Sequence, residues 1–340
     1  MNFSISKSKL LKKSIKRKFM SIKIIEASIN SSLQDFGRKK FAKFGIARSG
    51  AMDEDALRMA NILLGNKQDE AGIELCLKGG KYEFLDENYF VLSGAEFEAK
   101  LDNQKIKTCK VYQANKGDIL ELDLAKIGFR GYLCVAGGFE VKSFLNSKSS
   151  DAKMGAGVFE GRALQKDDIL NTHNTFIPFN LEARECENPL FKSPKEPIIR
   201  VILGTNEDAF TQKGIETFLN TTYKVGLKSD RMAIYAESSE SIEHKNSADI
   251  ISDPAVFGSI QVPKSGIPII LMAGRQSTGG YTKIATVIEN DLSLLAQAKL
   301  GSSFKFQSIS MQEALELYKQ REMKFKAMDQ KINLDFENLI

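Results

Sequence analysis

Tryptophan is absent from this 340-residue chain, and histidine occurs only twice. The two, His173 and His244, lie far apart in polar stretches and near no nucleophile motif, which leaves little material for a histidine zinc site or a Ser-His-Asp triad. Cysteine is sparse: Cys76, Cys109, Cys134 and Cys186 are scattered, with no C-x-x-C. Cys134 sits in the apolar run YLCVAGG and Cys76 in IELCL, a pattern of buried, reduced thiols that suits a cytoplasmic protein. No apolar run approaches the roughly 18 residues that a membrane-spanning helix needs. No G-x-x-x-x-G-K-[ST] occurs, so any use of ATP has to proceed without a P-loop. No metal-ligand spacing is visible, and no metal site is expected. Low-complexity tracts are missing too. With 42% hydrophobic and 27% charged residues, the composition excludes a disordered chain.

The net charge of +5 is unevenly spread. Residues 1–20 hold seven of the 48 basic residues and no acid, so the remainder carries 41 basic against 43 acidic. A basic tail on a near-neutral body removes the main support for a nucleic-acid partner. A secretory signal needs an apolar core of about 7–15 residues, whereas the longest run here is Leu10-Leu11. A transit peptide fits the basic, Ser-containing tail somewhat better, and a membrane-surface or nucleic-acid arm is a further alternative. The favoured expectation is a basic, disordered extension over 1–20, with Met20 as the true start and the coherent pattern opening at Ile22. Neither nucleic acid nor membrane is expected as a partner.

Proline is missing from residues 1–177, then four of the seven fall at Pro178, Pro189, Pro194 and Pro197. Such clustering reads as a linker over 179–196 between domains at 21–178 and 197–310, with a C-terminal helix and tail at 311–340. Both domains read as mainly β with a few helices. KYEFL, YFVLSG, FEAKLDN, KIKTCKVY, DILELDL and GYLCVAGG are short strand signals at close spacing, which favours a sandwich or barrel over a doubly wound sheet. In the second domain IIRVILG, GSIQVP, IPIILMAG and FKFQSIS are the strand signals.

Four helices are expected. Asp53 or Asp55 can cap the first, with an apolar stripe of Ala56, Met59, Ala60, Leu63 and Leu64 and a stop at Gly65. Asn206 can cap a second, weakened by Gly214, and Asp291 a third. Ser310 and Glu313 form a capping box for the last, whose charge-rich far end is expected to run past the core.

Three polar, Gly-rich segments carry the candidate chemistry. In the first, Gln34–Arg38 and Gly45–Asp53, a loop with Arg38 and Arg48 precedes a helix N-terminus, a natural place for a carboxylate or phosphate. The alternative is that Arg38 pairs with Asp35 and the glycines only turn the chain. In the second, Ser147–Asp151 with Gly155-Ala156-Gly157 and Gly161-Arg162, the glycines resemble half a dinucleotide fingerprint but lack its strand-then-helix context. The third, Gly274–Lys283, reads as a solvent-facing loop after an apolar strand. It gathers Arg275, Gln276, Ser277, Thr278, Tyr281 and Lys283 around Gly279-Gly280, where backbone can approach a planar amide, carboxylate or phosphate. Ser229-Asp230-Arg231-Met232 and Gln261 are further polar signals for the same cleft. A chemistry built from Asp, Arg, Lys and Tyr, or shared with a partner chain, is what these residues allow.

LQDFGR, FGIARSGAMDEDALRMANILLGN and AGIELCLKGG, followed by GFRGYLCVAGGF, SDRM and GSIQVPKSGIPIILMAGRQSTGGYTKIATVIENDLSLLAQAKLG, resemble the biotin-dependent carboxyltransferase-like family of allophanate hydrolase subunit 2-type proteins. The likeness runs from about Ile22 to Ala314. It departs from the family pattern at four places. Asn146-Ser147-Lys148-Ser149-Ser150 replaces the usual Gly-Ser-x-Ser-Thr, Gly157-Val158 a Gly-Gly, and Asp167-Asp168 a Gly-Asp. Gly274 stands where an Asp usually precedes the arginine.

The resemblance implies two cyclophilin-like β-barrel domains cradling a cleft. It also implies the role of the C subunit in an ATP-dependent 5-oxoprolinase, which opens 5-oxoproline to L-glutamate with subunits A and B, subunits B and C phosphorylating the lactam. ATP, with magnesium as its counter-ion, is then the expected cofactor, and no biotin is expected on this chain, which lacks a Met-Lys-Met type site. For that reaction Arg275, Lys283 and Asp53 are the catalytic candidates. Arg38, Arg48, Ser49, Gln261, Gln276, Thr278, Gly279, Gly280, Tyr281, Asp230 and Arg231 are the substrate- or nucleotide-binding candidates. Two alternatives within the family are a urea carboxylase-like, biotin-dependent carboxyltransferase subunit and a non-catalytic antagonist of a kinase-inhibitor-like partner.

Overall fold

The computed structural model describes residues 20–173 and 181–333. The basic extension, apart from Met20, therefore lies outside the described residues, as do positions 174–180 at the expected domain boundary and the last seven positions of the C-terminal segment. Met20 itself opens the first strand, Met20–Glu26.

Residues 20–172 build a nine-stranded antiparallel sheet. Its order is 104–106, 88–101, 119–135, 72–76, 78–84, 20–26 and 169–172, with 32–34 added on 72–76 and 111–114 on 88–101. Two of its strands are long. YFVLSG and FEAKL, separate in the sequence reading, are one strand, Asn88–Leu101, and DILELDL joins GYLCV in Ile119–Val135. Irregular register between Gly94 and Ala99 bends the first against the second, so that Ile119–Val135 also pairs with both 72–76 and 78–84. Burial alternates as a half-buried strand requires: Phe97 and Ala99 face inward, Glu98 and Lys100 outward. Asp102 and Asn103, both at positive φ (45° and 66°), make the tight turn into Gln104–Ile106.

Residues 198–308 form a closed barrel of seven strands in the order 198–203, 283–287, 259–261, 269–271, 233–237, 222–225 and 303–308. Ring closure comes from a parallel pairing of the first and last strands, Ile198 opposite Lys305 through Val201 opposite Ser308. The expectation of two barrels thus holds for this unit, whereas the N-terminal sheet curls into a half-barrel. Its length is concentrated in two bent strands that wrap the core by folding over, and its end strands, Gln104–Ile106 and Ile169–Thr172, do not pair with each other.

Helix α1 (Glu54–Leu64) is capped by Asp53, whose side chain accepts from the Ala56 N–H, and ends at Gly65. All five residues of its expected stripe are buried. Helix α2 (Gln212–Asn220) is capped by Thr211, not Asn206; the chain from Asn206 makes only a 3-10 turn first. In α3 (Glu289–Ala296) Asp291 is not the cap. It is buried inside the helix, where it accepts from the Arg200 backbone N–H and pairs with the Arg200 guanidinium. Helix α4 (Met311–Asn333) opens on the expected Ser310–Glu313 box. Its far end does not leave the core. It turns back over α1, with Phe325, Met328 and Ile332 packed on the α1 cluster and Arg321 Nε donating to Asp55 at 2.9 Å. Arg58 likewise bridges to Glu322 at 2.6 Å. The charged residues read as a solvated end are the ones that clamp it.

The described part of the Pro-rich stretch lies against the N-terminal unit: Asn188 Nδ2 donates to the Gly94 carbonyl of the sheet and Arg184 Nη1 to the Leu63 carbonyl of α1, both at 2.9 Å. All four cysteines are free thiols, two buried and two half-buried. No helix among the described residues is long and apolar enough to cross a membrane.

Candidate functional site

The three polar segments converge. A cleft of about 440 Å³ between the half-barrel and the barrel is lined by Gly45, Ala47 and Ser49 from the first, by Ser150, Asp151 and Gly161 from the second with Ala152–Met154 between its parts, and by Gly274, Arg275 and Gln276 from the third. Gln34, Arg231 and Met232 also line it. Ser49 Oγ donates to the Ser150 carbonyl at 3.1 Å, and Gln34 Nε2 reaches the same carbonyl at 3.2 Å, so the first two segments are tied directly.

Arg275 dominates the cleft's chemistry. It is buried at 8% exposure, which corrects the solvent-facing loop expected for it. Its Nε donates to the Ala255 carbonyl and its Nη1 to the Met272 carbonyl, each at 3.2 Å, and Phe257 lies 5.5 Å beneath the guanidinium. Among the described residues no carboxylate pairs with it. Burial, and then the neighbouring Arg48, lower its pKa to about 10. A buried guanidinium held by neutral carbonyls beside another cation favours an anion.

The other candidates divide. Arg231 lines the cleft but is committed to Glu74 and the Gly50 carbonyl. Asp230 shapes the adjoining turn by accepting from the Met232 and Ala233 N–H groups. Arg38 lies behind the cleft wall at 1% exposure; it donates to the Ser149 carbonyl, and its Nε and Nη1 have no partner among the described residues. The alternative pairing with Asp35 is not made. Asp35 instead accepts from Ser147 and Ser149 Oγ and from the Gly37 and Lys148 N–H groups. Arg48 donates to Glu54 and the Phe36 carbonyl and faces a neighbouring cleft of about 480 Å³ that it shares with Arg275.

Thr278, Gly279, Gly280 and Tyr281 are not part of a loop. They form a strand paired with Asp249–Pro254 in a separate two-stranded ribbon. Lys283 binds Asp253 there, and Gln261 lies over Gly279 so closely that a Cβ would strike its amide. None of these lines the 440 Å³ cleft.

Asp53 is buried at the junction of the units. Beyond its cap role it accepts from Ser293 Oγ at 2.8 Å and Gln297 Nε2 at 2.7 Å, both from the barrel unit. Burial, with Asp55 adding, raises its pKa to about 6 despite these donors. The folded state therefore binds this proton more tightly than the unfolded chain. Stability from this group is greatest below pH ~3.8 and is lost as pH rises to ~6, on the order of 3 kcal/mol over the window. Urea unfolding between pH 4 and 7 should show that fall in the native protein and not in Asp53→Asn; equal slopes would place the titration elsewhere.

A second buried junction was not foreseen. Glu74 accepts from Arg231, Arg130, Tyr132 Oη (2.8 Å) and the Met52 N–H (2.9 Å). Burial pushes its carboxyl upward, but the two guanidiniums and the hydrogen bonds hold it below the ordinary range. Its signal was a carboxylate in the middle of an apolar strand, IELCL. Lys153, Asp151, Ser150 and Gln34 at the cleft were also missed individually, although the second segment contained Ser150 and Asp151 and the first contained Gln34.

The family model for the carboxyltransferase domain, subdomain A and B, matches residues 44–308. This chain belongs to that family. Within it, the chain is 40% identical over 302 residues to the C subunit of the 5-oxoprolinase of Haemophilus influenzae, covering 89% of this chain and 96% of that one. It is 33% identical over 307 residues to the C subunit of the 5-oxoprolinase of Escherichia coli, covering 90% and 97%. The solved K. lactis urea amidolyase shares the carboxyltransferase fold with a TM-score of 0.83 at 24% identity, over 93% of this chain and 20% of that much longer one.

Two departures from the family pattern keep their backbone. Asn146 and Asp167, which stand for glycines, sit at φ 61° and 70°, a region that Asn and Asp tolerate best among non-glycine residues. Gly274 differs in consequence. A Cβ there would lie 3.0 Å from the Arg231 carbonyl, and a glycine offers Arg275 no carboxylate, so the acid that acts on it is Glu54, itself paired with Arg48.

Proposed function

We propose that this chain is the C subunit of an ATP-dependent 5-oxoprolinase, working with homologues of subunits A and B. The observation that carries the reading is Arg275: a buried cation without an acid partner among the described residues, in a cleft that draws on both units. Near full-length similarity to two proteins named as the C subunit of 5-oxoprolinase supports it. The resemblance of both units to cyclophilin-like barrels, and action in the cytoplasm, belong to the same reading.

The lactam of 5-oxoproline is a poor electrophile because its amide is resonance-stabilised. In the proposed step the lactam oxygen attacks the γ-phosphorus of ATP, the bond to the β-bridging oxygen breaks, and ADP leaves with that electron pair. The ring nitrogen loses its proton, giving a phosphorylated imidate. Water then adds to the activated carbon and the C–N bond opens to an acyl phosphate, which a second water hydrolyses to glutamate and phosphate. Arg275 is suited to hold the substrate carboxylate bidentately while charge develops on the phosphoryl group. ATP would bring magnesium as its counter-ion.

Copurification with the products of neighbouring genes, followed by an assay of ATP-dependent glutamate release from 5-oxoproline, tests this. The isolated chain is expected to show negligible turnover and the mixture with A and B to be active. An inactive mixture that instead moves carboxyl groups from a biotinyl carrier would favour the carboxyltransferase alternative.

A further inference from the structure

Lys153 reaches across the mouth of the 440 Å³ cleft. It belongs to the short turn Ala152–Met154 of the N-terminal unit, and its Nζ lies 3.3 Å from the Sδ of Met232 in the barrel unit. A thioether is a weak acceptor, and among the described residues no carboxylate pairs with this ammonium. The stem rises from a pinned base: Asp151 accepts from the Lys153 and Met154 N–H groups, and Asp151 and Ala156 form a bridge beneath the turn. Arg275, also free of an acid partner among the described residues, lines the same cleft from the barrel.

The two cations differ in kind. Arg275 is buried and anchored by two backbone carbonyls, so it is preorganised for a charge present throughout the reaction. Lys153 is exposed, on a flexible stem, and gives up only a thioether contact when it moves. We propose that Lys153 is a phosphoryl-facing binding residue of the cleft, opposing Arg275 on the carboxylate. The cleft would then take a ligand with an anionic group at each end, as a phosphorylated 5-oxoproline has. This deepens the 5-oxoprolinase reading and rests on it.

The test is steady-state kinetics of the reconstituted A, B and C subunits with 5-oxoproline and magnesium-ATP, comparing native chain, Lys153→Met and Lys153→Arg. Because the side chain is exposed, all three should fold alike. Lys153→Met is expected to lower kcat about 10- to 150-fold, the loss of one charge-assisted contact, with the KM for 5-oxoproline kept within about twofold. Lys153→Arg should recover most of the rate. A raised KM with kcat intact would put Lys153 on the carboxylate and overturn the proposal, as would unchanged kinetics in Lys153→Met. Both outcomes leave the 5-oxoprolinase reading standing. No turnover by the native mixture overturns that reading and this proposal together.

Discussion

Glu74→Ala should destabilise the protein by about 3–5 kcal/mol, the usual cost of removing one member of a buried ion pair. Two guanidiniums, Arg130 and Arg231, would be left facing each other, and Tyr132 Oη and the Met52 N–H would lose their acceptor. Arg231 comes from the barrel and the other three from the N-terminal unit, so the loss falls on the seam between them. Urea unfolding at pH 7 measures it. Glu74→Gln keeps an acceptor oxygen but not the charge and should lie close to the alanine variant. A double change, Glu74→Met with Arg231→Met, should cost less than the two singles together, because neither partner of that contact is left as a lone charge, although Arg130 still loses its carboxylate. A loss below about 1 kcal/mol in Glu74→Ala would mean that water reaches the triad and screens it.

Arg275→Ala has the second large effect, and it should appear in two measurements. In the reconstituted complex kcat/KM is expected to fall about 10- to 150-fold, the equivalent of roughly 1.5–3 kcal/mol of charge-assisted contact. Stability should fall as well, by about 1–3 kcal/mol, because the Ala255 and Met272 carbonyls lose their donor inside the barrel. Arg275→Lys separates the two roles. It keeps the charge but not the planar fork, so it should recover part of the stability and little of the activity. Full kcat/KM per folded molecule in Arg275→Ala would make the arginine a structural strut and move the search for the substrate anion to Lys153 and Arg231.

Local signals in the sequence read well and long-range ones poorly. The Asp53 cap, the α1 stripe and the Ser310–Glu313 box depend on residues a few positions apart, and each formed as its spacing implied. Strand alternation at Phe97–Lys100 held for the same reason. The errors lie where tertiary structure decides. Asp291 has the chemistry of a cap but found Arg200, 91 positions away. The charged residues of α4 looked solvated because their partners, Arg58 and Asp55, are on α1. Gly274–Lys283 looked like one polar loop, yet pairing with Asp249–Pro254 divides it. Arg275 and Gln276 go to the cleft, Thr278–Tyr281 to the ribbon, and Lys283 opens a barrel strand. The convergence of three segments separated by about a hundred residues has no sequence signature short of the fold itself.

The parallel pairing that closes the barrel sets an order on how the chain can assemble as it is made. Every ladder of the N-terminal sheet is complete once residue 172 has emerged, so that unit can form early. The barrel cannot, since its first strand, Ile198–Leu203, waits for Ser303–Ser308, about a hundred residues later. At roughly 5–20 residues per second, that strand stays without its closing neighbour for about 5–20 s on the ribosome. During that time Ile199 and Val201, fully buried in the finished barrel, have no closed core to enter. Seam residues such as Glu74 and Asp53, presented early and fully folded, are then the template against which the later unit closes.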